Sequence, residues 1–224
     1  MAPVRSIRLA GLGAALLTAA CGGSGGGGGM GPCTPGAATQ LVKTSGDPAP
    51  WYFNNPLLTS LSVTARDASG CPVPGVTVNW AVGSGGGGVS PAQSTTNSSG
   101  VAITSDSIGS SSPQTVTATF TGLPTPLTFT ATASAPPTTA AVTVSNNFFS
   151  PDAVVMQTGG TVTWTWSSGS VTHDVLYDGG PQPLPTSSGP QSSGSHSNTI
   201  TTVGRYTYHC EFHAGMTGSV RVVH

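Results

Sequence analysis

Beyond residue 21 the sequence has no long stretch of helical period; it has alternation instead. Leu61, Val63 and Ala65 alternate with polar neighbours, as do Val76, Val78, Trp80 and Val82, then Val116, Ala118 and Phe120, then Leu127, Phe129 and Ala131. The pattern resumes at Val142 and Val144, at Val162, Trp164 and Trp166, at Tyr206 and Tyr208, and at Val220 and Val222. A period of two sends one side of each segment into a core and the other into water, as a half-buried strand does. Thr fills many of the intervening positions, and its β-branch suits strands. Gly and Pro punctuate the runs. Such a chain is confined to an all-β fold of many short strands.

Charge narrows the field further. Only 6% of the 224 residues are Asp, Glu, Lys or Arg, and the net charge is -1, where a typical domain is about a quarter charged. Six Lys and Arg cannot form the clustered basic face that phosphate contacts demand, so nucleic acid is excluded as a partner. The hydrophobic share, 36%, still suffices for a core, and the length suits one or two domains.

Residues 1–20 have the form of an export signal. Arg5 and Arg8 precede an apolar run from Leu9 to Leu17, too short to span a bilayer of roughly 30 Å. Thr18-Ala19-Ala20-Cys21 then resembles the bacterial lipobox, with Leu17 four residues before the Cys where that motif prefers three. The resemblance implies a lipidated Cys21, a membrane anchor and a place in the bacterial cell envelope, facing periplasm or cell surface. An ordinary signal peptide with a chance Cys is the alternative. Residues 21–37 would be a Gly-rich tether. Cys33 and Cys71 form an even pair in an oxidising compartment, so a disulfide is expected. Its loop would contribute roughly 4 kcal/mol in the chain-entropy account.

Residues 38–134 read as one sandwich. The run from Asp67 to Trp80, with Gly86-Gly-Gly-Val-Ser-Pro91 and Asn97-Ser-Ser-Gly-Val-Ala102, resembles bacterial Ig-like modules of the invasin type. That resemblance implies a spacer or adhesive scaffold. Gly85 to Gly88 lacks the Gly-Lys-Ser/Thr of a phosphate cradle and reads as a hairpin loop. Trp80, in phase with Val76 and Val78, reads as core. Residues 135–139 are a Pro-rich linker.

Residues 140–224 allow about six to eight strands in a small sandwich or Greek-key barrel. Their chemistry is concentrated in Tyr206-Thr-Tyr-His-Cys210-Glu-Phe-His213-Ala-Gly-Met216. Thiolate, imidazole and thioether at this spacing are the ligand types of a blue-copper site. A second imidazole must come from elsewhere, and His173, 37 positions upstream of Cys210, is the obvious donor. Singly, Cys210 could be a structural thiol, His173 a core histidine and Met216 packing; together they favour metal. Zinc suits thiolate and imidazole, but matches a Met ligand poorly.

With Asn147-Phe-Phe-Ser-Pro151 and Gly160-Thr-Val-Thr-Trp164, these residues resemble a cupredoxin of the plastocyanin and amicyanin group. The resemblance implies an Ig-like β-sandwich followed by a cupredoxin Greek-key sandwich or barrel. It implies one type 1 copper per chain on His173, Cys210, His213 and Met216. It also implies single-electron transport with redox proteins such as a c-type cytochrome or a membrane oxidoreductase. Asp174 departs from the Asn that many relatives carry after the first ligand His.

No enzymatic centre is expected. His209 adjoins Cys210 as in copper enzymes with a second metal centre, yet only His196 and His224 remain to build one. His196 falls in a Ser/Gly-rich stretch that reads as a flexible loop. Alternation puts His209 on the face opposite Cys210, at the surface. The expected docking face is His213 with Phe212, Ala214 and Gly215. The rival functions are a surface structural or adhesive lipoprotein with a copper-stabilised terminal domain, and a copper-storage protein.

Overall fold

The structure, a computed structural model, describes residues 33–47, 49–167, 169 and 171–224. The signal segment, Cys21 and nearly all of the Gly-rich tether lie outside the described residues. Secondary structure among the described residues is strand and turn, with no helix.

The first nine strands are β1 (Ala38–Ser45), β2 (Ala49–Tyr52), β3 (Leu61–Asp67), β4 (Thr77–Ser84), β5 (Gly87–Ser90), β6 (Gln93–Thr95), β7 (Val101–Ile108), β8 (Gln114–Thr119) and β9 (Leu127–Ser134). They form two sheets, ordered β1-β3-β7-β5 and β2-β9-β8-β4-β6. Leu61, Val63 and Ala65 of one sheet and Val78, Trp80, Val116, Ala118 and Phe129 of the other meet in one core. Trp80 satisfies its indole N–H on Ser94 Oγ at 2.8 Å, so its burial leaves no orphaned donor. The Gly85–Gly88 segment is not a hairpin. It carries the chain from β4 in one sheet to β5 in the other. Its local signal is the same as a hairpin's, because Gly85, Gly86 and Gly87 all hold positive φ. A Cβ on Gly87 would run into Ser107 O, so the close crossing demands glycine.

The remaining strands are β10 (Thr139–Ser145), β11 (Phe148–Ser150), β12 (Ala153–Gln157), β13 (Gly160–Trp166), β14 (Leu176–Gly179), β15 (Gly194–Ile200), β16 (Gly204–His209) and β17 (Thr217–Val223). Their sheets are ordered β11-β10-β13-β15 and β12-β17-β16-β14, with β10–β13 and β12–β17 parallel. Val162, Trp164 and Trp166 face Tyr206, Tyr208, Val220 and Val222 across the core. Trp164 meets Tyr208 edge-on at 5.3 Å between ring centroids and Tyr177 at 6.0 Å, the preferred aromatic geometry. His196 is not in a flexible loop. It lies within β15, opposite Trp164 in register, and its Nε2 is 2.9 Å from Thr186 O. Here Ser and Thr occupy the outward positions of an edge strand and bond across it, as Thr163 Oγ1 does with Ser197 Oγ at 2.8 Å.

The two sandwiches also touch beyond the linker. The buried Asn55 donates from Nδ2 to His224 O and accepts His224 N–H at Oδ1, both at 3.0 Å.

Candidate metal centre

Three segments converge at one end of the second sandwich. His173 follows β13 and is held by a two-way bridge: its N–H reaches Gln191 O at 3.0 Å, and its carbonyl accepts Gln191 N–H at 2.9 Å. It therefore stands in an isolated bridge rather than in a regular strand. Trp166 Nε1 donates to the same carbonyl at 3.1 Å. Cys210 follows β16, and residues 210–216 close on themselves. Cys210 N–H donates to Met216 O at 3.0 Å, and Met216 N–H to His213 O at 3.1 Å. Gly215, at φ 84°, supplies the left-handed step this tight loop needs.

The loop brings the donor atoms together. Cys210 Sγ lies 3.8 Å from His173 Nδ1 and 3.5 Å from His213 Nδ1. Metal–sulfur and metal–nitrogen bonds of about 2.3 and 2.0 Å at a trigonal angle put sulfur and nitrogen about 3.7 Å apart. The three atoms thus fit around one small ion with little adjustment. All lie within 4.8 Å of one another, and this is the one such cluster among the described residues. Met216 is 2% exposed and sits on the same loop. A soft thiolate, two imidazoles and a nearby thioether make a donor set suited to copper.

Burial sets the protonation of the metal-free site. Desolvation holds the His173 imidazolium below its ordinary pKa, helped by His213 and opposed by Asp174. Desolvation pushes the Cys210 thiol up, against the backbone N–H groups of Asp174 and Phe212 that favour the thiolate. Metal uptake must therefore release the thiol proton. Asp174 itself is buried, and its Oδ1 accepts Glu211 N–H at 2.9 Å. Asp174 thereby fastens the segment from Cys210 to Met216 to the stretch of chain that carries His173.

At the surface, His213 is half-buried among exposed Phe212, Ala214 and Gly215. Sequence reasoning missed Phe148, which is 53% exposed and lines a groove shared with Gly215 and Met216. The signal was the Phe148-Phe149 pair: a strand that buries Phe149 must turn Phe148 outward. His209 is partly exposed, with Nδ1 2.6 Å from Asp178 Oδ2. The Thr207 hydroxyl and His209 hold the Asp178 carboxyl below the usual range, against partial burial. Neither His196 nor His224 joins the cluster. Cys33 and Cys71 are both disulfide-bonded, and Cys210 is a free, buried thiol.

Residues 54–134 match the family model of the bacterial Ig-like domain (group 1). Several solved cupredoxins are similar to part of the chain. A purple cupredoxin from Nitrosopumilus maritimus is 26% identical, with a TM-score of 0.33 over 38% of this chain and 99% of its own. An oxidised plastocyanin from Dryopteris crassirhizoma is 25% identical, with a TM-score of 0.33 over 38% of this chain and 100% of its own. A reduced amicyanin variant is 26% identical, with a TM-score of 0.33 over 38% of this chain and 82% of its own. No curated protein matches the chain.

Proposed function

We propose that this protein is a type 1 copper protein that carries single electrons between redox partners in the cell envelope. In this reading it is anchored through lipid on Cys21, with the Ig-like sandwich as spacer. The observation that carries the copper assignment is the triangle of Cys210 Sγ, His173 Nδ1 and His213 Nδ1, whose edges of 3.8 and 3.5 Å at the sulfur suit thiolate and imidazole donors around one small ion. Copper bound there would supply a one-electron couple. His173, Cys210, His213 and Met216 are the residues that would hold it.

The surrounding residues favour a carrier. Asp174 fixes the loop at Glu211 N–H, and Trp166 fixes the His173 carbonyl. Ligands fastened in this way move little when the charge changes, which keeps the reorganisation of each transfer small. His173 and Cys210 are buried from water, and only the half-buried His213 approaches the surface. Phe212, Ala214, Gly215 and Phe148 would let a partner such as a c-type cytochrome or a membrane oxidoreductase approach closely. The second sandwich carries Arg205 and Arg221 against Asp152, Asp174, Asp178 and Glu211, so steering over long range is weak.

Electron self-exchange, followed by NMR line broadening, tests the carrier reading. Ala214→Glu should leave the copper spectrum unchanged and slow exchange at least about tenfold, because two such faces would oppose like charges on docking. Exchange as fast as the parent's would move the exit away from His213. A copper-loaded protein that exchanges no electrons would be a structural one.

A further inference from the structure

The edge strand β15 breaks the alternation of its own sandwich. In the antiparallel ladder His196 stands opposite Trp164, and Asn198 opposite Val162; residues so paired share one face of the sheet. Trp164 and Val162 are fully buried in the core. Two polar side chains therefore occupy core-facing positions where an apolar residue is the rule. Neither belongs to the donor cluster of the candidate metal centre, and a local rule broken in this way marks a constraint met elsewhere.

Both side chains end on one atom. His196 Nε2 and Asn198 Nδ2 each lie 2.9 Å from the carbonyl oxygen of Thr186. A carbonyl only accepts, so the His196 contact places a ring proton on Nε2, and two donors share the two lone pairs of one oxygen. The His196 ring lies 5.9 Å from that of Trp164, centroid to centroid. Thr186 belongs to a strap, residues 180–193, that joins β14 to β15 without a strand or a charged side chain of its own.

The strap is sewn to the segment that carries His173. Ser188 N–H donates to Val175 O at 3.1 Å, Ser188 Oγ accepts Val175 N–H at 2.9 Å, and Ser187 Oγ accepts that of Tyr177 at 3.3 Å. Gln191 closes the two-way bridge to His173. Leu184 packs against the core. Toward β15 the fastening is of another kind. Among the described residues no backbone hydrogen bond joins the strap to that strand, and the bonds there are those of His196 and Asn198 to Thr186 O.

We propose that His196, assisted by Asn198, is a positioning residue of the metal centre: it fastens the strap at Thr186, and the strap at Gln191 holds His173 in place for Cys210 and His213. The positioning role rests on copper binding at His173, whereas the fastening does not.

Amide hydrogen exchange in the metal-free full-length protein tests the fastening. His196→Phe keeps a ring against Trp164 and removes the donor. It should speed exchange at Gln191, His173 and Val175 about three- to tenfold, the worth of one hydrogen bond, and leave the β16–β17 ladder unchanged. His196→Gln, whose amide nitrogen takes the place of Nε2, should restore the parent's rates. Asn198→Ala removes the other donor without touching the ring and should act in the same direction as His196→Phe. In the copper-loaded protein, His196→Phe should shift the thiolate-to-copper band and alter the copper EPR spectrum, and His196→Gln should return both to the parent's. Unchanged exchange at Gln191 and His173 in His196→Phe overturns the fastening. Faster exchange across the whole sandwich, or no rescue by His196→Gln, makes His196 a packing residue and overturns the proposal too. Faster exchange at the strap with an unaltered copper spectrum refutes the positioning role. A protein that takes up no copper would refute the copper reading instead, and the exchange rates would still decide the fastening.

Discussion

The two sandwiches use one physical device for different ends. In the first, side-chain oxygens tie down loop amides to hold the scaffold. Asp67 accepts N–H bonds from Gly36, Ser69 and Cys71 at 2.8–2.9 Å, Asn97 accepts those of Ser99 and Val101, and Gln114 accepts that of Gly109. In the second, Asp174 accepts Glu211 N–H and Trp166 donates to the His173 carbonyl, and the loops so fastened carry the donor atoms of the candidate metal centre. The contrast teaches that a side chain fastening a loop is by itself neutral as to function. What it positions decides whether the end is scaffold or site.

The comparison can be broken from either side. Trp80→Ala removes the central side chain of the first core and should cost about 3–5 kcal/mol. Denaturant unfolding measures that loss, and the copper spectrum of the folded fraction should be unchanged. A changed spectrum would mean that the scaffold also tunes the site. Asp174→Ala frees Glu211 N–H beside the ligand loop. It should weaken copper binding about 10–100-fold, as loss of an outer partner does at other metal sites, which a competition titration with a copper chelator measures. An unchanged affinity would show that the loop's own turn bonds suffice.

The smallest effect concerns Asp106 in the first sandwich, which is 3% exposed and bonded by Gln114 Nε2 at 2.6 Å. Desolvation lifts its pKa to about 6, against the bonds from Gln114 and Ser107. Its unfolded value is about 3.9. Between about pH 4 and pH 6 the native state binds the extra proton. Stability should therefore fall as pH rises through that window and change little above it. Asp106→Asn should flatten the slope in a series of denaturant titrations. A slope of opposite sign would mean that the carboxylate is better solvated than its burial implies.

What the sequence made legible follows from the range of each signal. Alternation is local, and the residues it marked (Trp80, Phe129, Val162, Trp164, Tyr206, Val220) are buried. The loop members of the candidate centre were legible because Cys210, His213 and Met216 lie in one short segment. His173 was found through its chemistry, but its setting was not. Its bridge to Gln191 and its bond from Trp166 depend on segments distant in sequence. The parallel pairings β10–β13 and β12–β17 and the sheet crossing at Gly85–Gly88 were hidden for the same reason. Gly-rich composition reports freedom of φ, not destination. His196 was misjudged because Ser and Gly resemble a loop until Thr163 and Trp164 supply the neighbouring strand.

The central claim is that one end of the second sandwich is a copper site and the first sandwich is not. Titration of the metal-free protein with Cu(II), followed in the visible, tests it most directly. The account predicts an intense blue thiolate-to-copper band saturating at one copper per chain and absent from Cys210→Ser. A colourless product, a second equivalent of strongly bound copper, or a band that survives Cys210→Ser would contradict it.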